Sequence, residues 1–173
     1  MRRWRAVTFD DWEAKARYLD GAAWVDARIL PSVRRVALQL ARPFGAISPE
    51  NQGELAHAVF QFVQRRVRYV SDPASEEFSD AGVVIETGWG DCDDKVRCFV
   101  ALCRSLKIDA FVRPVMRDGE FVHVQAVCRY PGSDRHPKAM LGGWLVAEVI
   151  LRDAKLGDDV QDVPVGPHGR RLA

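Results

Sequence analysis

Apolar residues return every three to four positions in several stretches of the chain, and that period predicts its helices. Asp10 to Leu19 and Pro31 to Leu40 form two of them within the first 46 residues, the second aligning Val33, Val36, Ala37 and Leu40. Pro31 suits a first helical turn, where its missing N–H has no intrahelical partner to lose. Pro43 and Gly45 then punctuate the chain. Ser48-Pro49-Glu50 is ordered as N-cap, first-turn proline and first-turn acid, and it opens a helix with Leu55, Val59, Phe62, Val63 and Val67 on one side. A polar, acidic connection from Ser71 to Asp80 follows, then a glycine-rich approach, Glu86-Thr87-Gly88-Trp89-Gly90, to Asp91 and Cys92. From Cys92 to Leu106 the stripe Val96, Phe99, Val100, Cys103, Leu106 predicts a helix buried along one face.

Beyond that helix the period drops towards two. Ala110 to Met116 and Phe121 to Tyr130 read as strands joined by Arg117-Asp118-Gly119-Glu120, whose Asp-Gly core is a hairpin signal. Trp144 to Leu151 reads as a third strand, after a loop from Pro131 to Gly143. Gly157 to Ala173, rich in glycine, proline and charge, reads as a poorly ordered tail. Helices followed by antiparallel strands give an α+β class, divided into a helical extension (1–47), a core (48–156) and a tail (157–173).

Composition narrows the function classes. At 173 residues and 47% hydrophobic, the chain fits one domain able to bury roughly 70% of its unfolded surface, with no staple required. Its 25 basic and 24 acidic side chains nearly cancel, so the overall charge favours neither nucleic acid nor an acidic membrane as a partner. The clusters Arg2, Arg3, Arg5 and Arg65, Arg66, Arg68 read as solvated faces. Cys92, Cys98, Cys103 and Cys128 are irregularly spaced, unlike a disulfide framework or a zinc site, so free thiols and no metal are expected. No cofactor is implied. No apolar h-region follows the basic N-terminus and no window reaches the ~18 apolar residues of a membrane span, which predicts a cytoplasmic protein or one incorporated in a particle assembled there.

Of the four cysteines, Cys92 is placed for chemistry. A thiol at a helix N-terminus meets unpaired backbone N–H groups and the positive end of the helix dipole, which favour thiolate. Gly88 and Gly90 would allow the sharp bend and close approach that an exposed nucleophile needs. Asp91, Asp93 and Asp94 oppose ionisation unless they cap the helix, and capping is preferred to calcium binding because no calcium-loop spacing recurs. Cys98, Cys103 and Cys128 fall on apolar faces and read as core. Val122, Val124, Ala126 and Cys128 make one apolar strand face, placing His123 and Gln125 on the other, free to face a cleft. Histidine titrates near neutrality and can carry a thiol's proton. Glu148, charged within an apolar strand, is suited to hold the imidazole across the strands. The plainer accounts are a small buried residue at a helix end for Cys92, a backbone-bonded histidine for His123 and an edge glutamate for Glu148. Trp89, Gln125 and Trp144 are candidate substrate contacts, Trp89 equally a packing residue under the turn. His57, His136 and His168 read as incidental.

The elements GWGDCDDKVRCFVALCRSLKIDAFVRPV, FVHVQAV and GGWLVAEVIL, in that order, resemble the core of the transglutaminase-like superfamily, distant relatives of papain, over roughly Glu54 to Asp153. The resemblance implies a nucleophile at Cys92, a base at His123 and an acid at Glu148. It departs from the family pattern in having Glu where Asp is commoner, and Leu106-Lys107-Ile108-Asp109 where Leu-Gly-Ile-Pro is common, so the usual glycine C-cap is missing. The implied function is a cysteine hydrolase or transamidase acting on carboxamide or peptide groups of a protein or peptide substrate. The Cys92 N–H would be one oxyanion donor, with Gln52, Gln61 and Trp89 as candidates for the second. The alternative is an assembly component among phage structural proteins that keeps the fold with catalysis secondary or lost. That rests on analogy with compact members of the family.

Overall fold

The computed structural model describes residues 12–71, 78–117 and 120–159. Among them, α1 (Trp12–Ile29), α2 (Pro31–Ala41) and α3 (Gln52–Arg66) precede a short strand β1 (Arg68–Tyr69). Next come α4 (Ala81–Thr87), β2 (Trp89–Gly90) and α5 (Cys92–Ser105), and last the strands β3 (Asp109–Arg117), β4 (Glu120–Arg129) and β5 (Leu145–Ala147). β3, β4 and β5 form an antiparallel sheet in that order, while β1 pairs in parallel with β2. The expected α+β class holds.

The helix α5 is the hub, touching α1, α2, α3, α4 and the sheet. Its period suggested one buried stripe, but every residue from Asp93 to Cys103 is buried, including the charged Asp93, Asp94, Lys95 and Arg97. Charges are tolerated there because each is paired or hydrogen-bonded. Arg97 reaches both carboxylate oxygens of Asp26 on α1, at 2.7 and 3.0 Å, and Asp26 also accepts from the Ala81 N–H at 3.0 Å. These contacts carry α1 ten residues beyond Leu19, its predicted end. Asp10, the predicted start, lies outside the described residues.

Pro31 opens α2 as expected. Before α3 a 3₁₀ turn, Pro49–Asn51, intervenes, with Ser48 and Asn51 forming a reciprocal capping box. The helix α4, not foreseen, is bounded by signals visible in the sequence: the Asp80 carboxylate caps Val83 N–H at 2.8 Å, and Gly88 ends it in the left-handed region at φ 72°. At the end of α5, Lys107 takes the left-handed position that a glycine usually fills, at φ 60°, while Ile108 N–H closes on Cys103 O at 3.0 Å.

β3 and β4 pair from Asp109↔Arg129 to Arg117↔Glu120, with a register shift between Val115 and Met116. Asp118 and Gly119, the predicted turn, lie outside the described residues. β5 is shorter than the predicted Trp144 to Leu151 and pairs only with Ala126, Val127 and Cys128. Val124, Ala126 and Cys128 face the main core, as alternation predicted. The other face is not an open cleft along its length, since Gln125 and Val127 are fully buried there. Asp159 spans Arg113 at 2.9 Å and Gln125 at 3.2 Å, and Gly157 N–H donates to Val146 O at 2.7 Å. Residues 157–159, expected to begin a loose tail, are therefore tied to the sheet. The predicted tail beyond them lies outside the described residues.

Candidate active site

Cys92 is the first residue of α5, and the turn before it is built for close approach. A Cβ on Gly90 would meet Asp94 Cβ at 2.6 Å, so only glycine lets β2 run so near the helix start. Asp91 caps α5 by accepting from Asp94 N–H at 3.0 Å, while Asp94 instead accepts from Ser79 N–H at 2.7 Å, so one of the three acids caps the helix. Asp93 turns inward to Lys15 on α1, Nζ to Oδ2 2.7 Å, and its Oδ1 accepts from Cys92 Sγ at 3.8 Å. Asp91, Cys92 and Asp93 bring three donor atoms within 4.8 Å of one another, and these capping, ion-pair and thiol contacts account for the cluster.

The helix start does not make Cys92 a ready thiolate. Burial first, then the Asp93 and Asp91 carboxylates, push the thiol well above its ordinary range, with Lys15 and the Asp93 N–H opposing. The dipole operates, but desolvation and two adjacent anions exceed it. Cys92 is nonetheless the accessible cysteine, the other three being fully buried. Burial pushes Cys98 and Cys128 up to about 12 and Cys103 upward as well.

His123 lies on β4 beyond the stretch paired with β5, and Glu148 directly follows β5, so the two meet where the sheet opens. His123 Nε2 and Glu148 Oε2 are 3.0 Å apart. Glu148 is 1% exposed and its Oε1 accepts from Ile150 N–H at 3.0 Å, which fixes the carboxylate. The chain just beyond is anchored in turn, because Gln64 donates to Leu151 O and Ala154 O at 2.6 and 2.8 Å. A carboxylate acceptor on Nε2 holds the ring proton there and leaves Nδ1 as the basic nitrogen. No hydrogen bond joins Cys92 to His123 among the described residues; the thiol is bonded to Asp93 instead.

Lys95, which the helical stripe did not single out, lies one turn after Cys92 and is 1% exposed, its Nζ donating to Val67 O at 2.6 Å. Burial lowers it to about 8, opposed by Cys98 and Glu148. It ties α5 to the residue preceding β1. Neither Lys95 nor Lys15 carries a sequence signal of its role, since a lysine among charged neighbours reads as solvated.

The candidate substrate contacts separate. Trp89 is 38% exposed three residues before Cys92, where a substrate could reach it. Gln125 has no exposed surface and its amide is bonded to Asp159, so it buttresses the sheet and meets no substrate in this conformation. Trp144 lies past the other end of β5, edge-on to Phe111 with centroids 4.5 Å apart and under Arg129 at 4.7 Å, six strand residues or about 20 Å from His123. Packing, not the site, explains it. Gln52 donates to Lys107 O at 3.0 Å, at the opposite end of α5 from Cys92, so it is no oxyanion donor. Gln61 lines a separate cleft with His57 and Tyr130.

A family model described as the transglutaminase-like superfamily matches residues 39–133, a span that contains Cys92 and His123 and stops before Glu148. No curated protein and no solved structure matches the chain. No helix among the described residues is long and apolar enough to cross a membrane.

Proposed function

Because the chain belongs to the transglutaminase-like superfamily, we propose that it is a thiol acyltransferase or hydrolase acting on carboxamide or peptide groups through Cys92, His123 and Glu148. The observation that carries this reading is the 3.0 Å bond between His123 Nε2 and the buried Glu148 carboxylate, whose other oxygen is held by the Ile150 N–H. It is the arrangement that prepares an imidazole to take a proton at its other nitrogen.

In the proposed reaction Cys92 Sγ attacks the carboxamide carbon as the thiol proton passes to His123 Nδ1. The C–N bond breaks, the proton goes to the departing nitrogen, and a thioester on Cys92 and a free amine or ammonia result. Water then attacks the thioester to give a carboxylic acid, or a second amine attacks to give a new amide; His123 takes a proton from that water or amine and gives it to the departing sulfur. Because burial and its neighbouring carboxylates hold Cys92 in the thiol form, the base must act during the attack, so no standing thiolate is needed. The Cys92 N–H, in the first turn of α5 where a helix offers it no intrahelical carbonyl, is the natural donor to the developing oxyanion.

The test offers glutamine-containing peptides with and without a fluorescent primary amine, following ammonia release and amine incorporation. Cys92→Ala should abolish both, and Glu148→Gln should lower the rate by about 10²-fold or more while leaving the fold intact. A Cys92→Ala protein that retained the parent's rate would overturn the reading. The ratio of ammonia released to amine incorporated separates hydrolysis from transamidation.

A further inference from the structure

The family match begins at residue 39, so α1 lies outside it, yet α1 delivers a charge to the start of the nucleophile helix. Lys15 is 7% exposed and Asp93 2%, and their ion pair at 2.7 Å is joined to the thiol by the second carboxylate oxygen, 3.8 Å from Cys92 Sγ. One carboxylate thus bridges the α1 ammonium and the nucleophile. The Phe78 ring packs against the ammonium at 5.6 Å and is itself edge-on to Tyr18 of α1, centroids 5.6 Å apart, so the lysine is held from two sides. A buried ion pair is an expensive way to hold a helix in place, since an apolar pair of similar volume is often as stabilising.

We infer that Lys15 is a positioning residue for the nucleophile: its ammonium binds and neutralises the Asp93 carboxylate that accepts the Cys92 thiol's hydrogen bond. The inference rests on Cys92 being the reacting thiol, and it assigns the N-terminal helix a part in the chemistry. Among the described residues, the charged groups that act on the thiol are Asp91 and Asp93 at the start of α5 and Lys15 from α1, with Lys95 deeper along α5 bonded to Val67 O. Lys15 is a cation in contact with the carboxylate that touches sulfur. Its removal takes that positive charge from beside the thiol, which disfavours the negative charge that develops on sulfur during attack.

The test reads the thiol directly, without turnover. Alkylation of Cys92 by iodoacetamide is followed by mass spectrometry from pH 6 to 10 for the parent, Lys15→Met, Asp93→Asn and the Lys15→Met/Asp93→Asn pair, with circular dichroism recording folding. Lys15→Met should slow alkylation about tenfold at pH 8, moving the profile about one unit to higher pH. Asp93→Asn should speed it, and the double variant should return to within about threefold of the parent. A purely structural lysine would change the amount of folded protein and leave the pH profile of Cys92 alkylation in the folded protein where it is in the parent. Should Lys15→Met fail to fold, the double variant and Asp93→Asn decide alone. The inference is overturned if Asp93→Asn leaves the profile unchanged, or if the double variant alkylates as slowly as Lys15→Met or about tenfold more slowly than the parent. If instead Cys92→Ala retains the parent's turnover, the proposed reaction falls while the alkylation result stands.

Discussion

Replacing Asp26 by alanine is expected to cost about 4 to 6 kcal/mol of folding free energy. Asp26 is 3% exposed and makes three bonds: two from Arg97 at 2.7 and 3.0 Å, and one from the Ala81 N–H at 3.0 Å at the start of α4. Removing one partner of a buried ion pair costs about 3 to 5 kcal/mol, because the guanidinium stays buried without its counter-charge. The orphaned Ala81 N–H adds about 1 kcal/mol or more. Against a typical total of about 5 to 15 kcal/mol, the variant should be barely folded at room temperature. Urea unfolding followed by tryptophan fluorescence measures the loss. The Asp26→Ala/Arg97→Met pair should recover about 2 kcal/mol or more, since most of the penalty is the stranded charge and not the lost attraction. A single variant that lost less than about 1 kcal/mol would refute this account of the α1–α4–α5 junction, as would a double variant no more stable than the single.

Lys107 occupies the left-handed region at φ 60°, so Lys107→Gly should stabilise the protein by about 1 kcal/mol, read as a higher urea midpoint with an unchanged slope. Alkaline stability should be governed by the thiols. Burial lifts Cys98 and Cys128 from an ordinary 9.0 to about 12, so the folded state keeps protons that the unfolded state releases, and stability falls as pH rises above 9, by about 4 kcal/mol per thiol once pH 12 is reached. Lys95, lowered to about 8, acts in the opposite sense, adding stability between about 8 and 10.5, but it is one group against two fully buried thiols and two more shifted the same way. The urea midpoint should therefore drop steeply between pH 9 and 10.5, and a flat midpoint over that range would contradict the burial of these cysteines.

What the sequence made legible follows the range of the interactions involved. Pro31, the Ser48 turn, the α5 stripe and the paired strands are set within a few residues, and the period or the cap shows them. The two bounds of α4, Asp80 and Gly88, are equally local, but seven residues are under two helical turns, too short for an apolar period to stand out between a polar run and a glycine turn. The pairing of His123 with Glu148 was legible because both stand out as charged or polar in apolar strands. Trp144 and Gln125 looked like site residues by the same criterion, yet one packs on Phe111 at the far end of the sheet and the other is covered through Asp159.

The charged residues of α5 could not be read, because each is resolved by a partner that no pattern within the helix announces. Asp93 answers Lys15, Arg97 answers Asp26 and Arg104 answers Asp20, so three charges along α5 are matched by three on α1, more than 70 residues earlier. On either helix alone they pass for a solvated face. Together they make α1 the element that pairs with three charges of α5, and the pair nearest Cys92 is the one whose carboxylate touches sulfur. The thiol's environment therefore depends on the fold of the N-terminal helix.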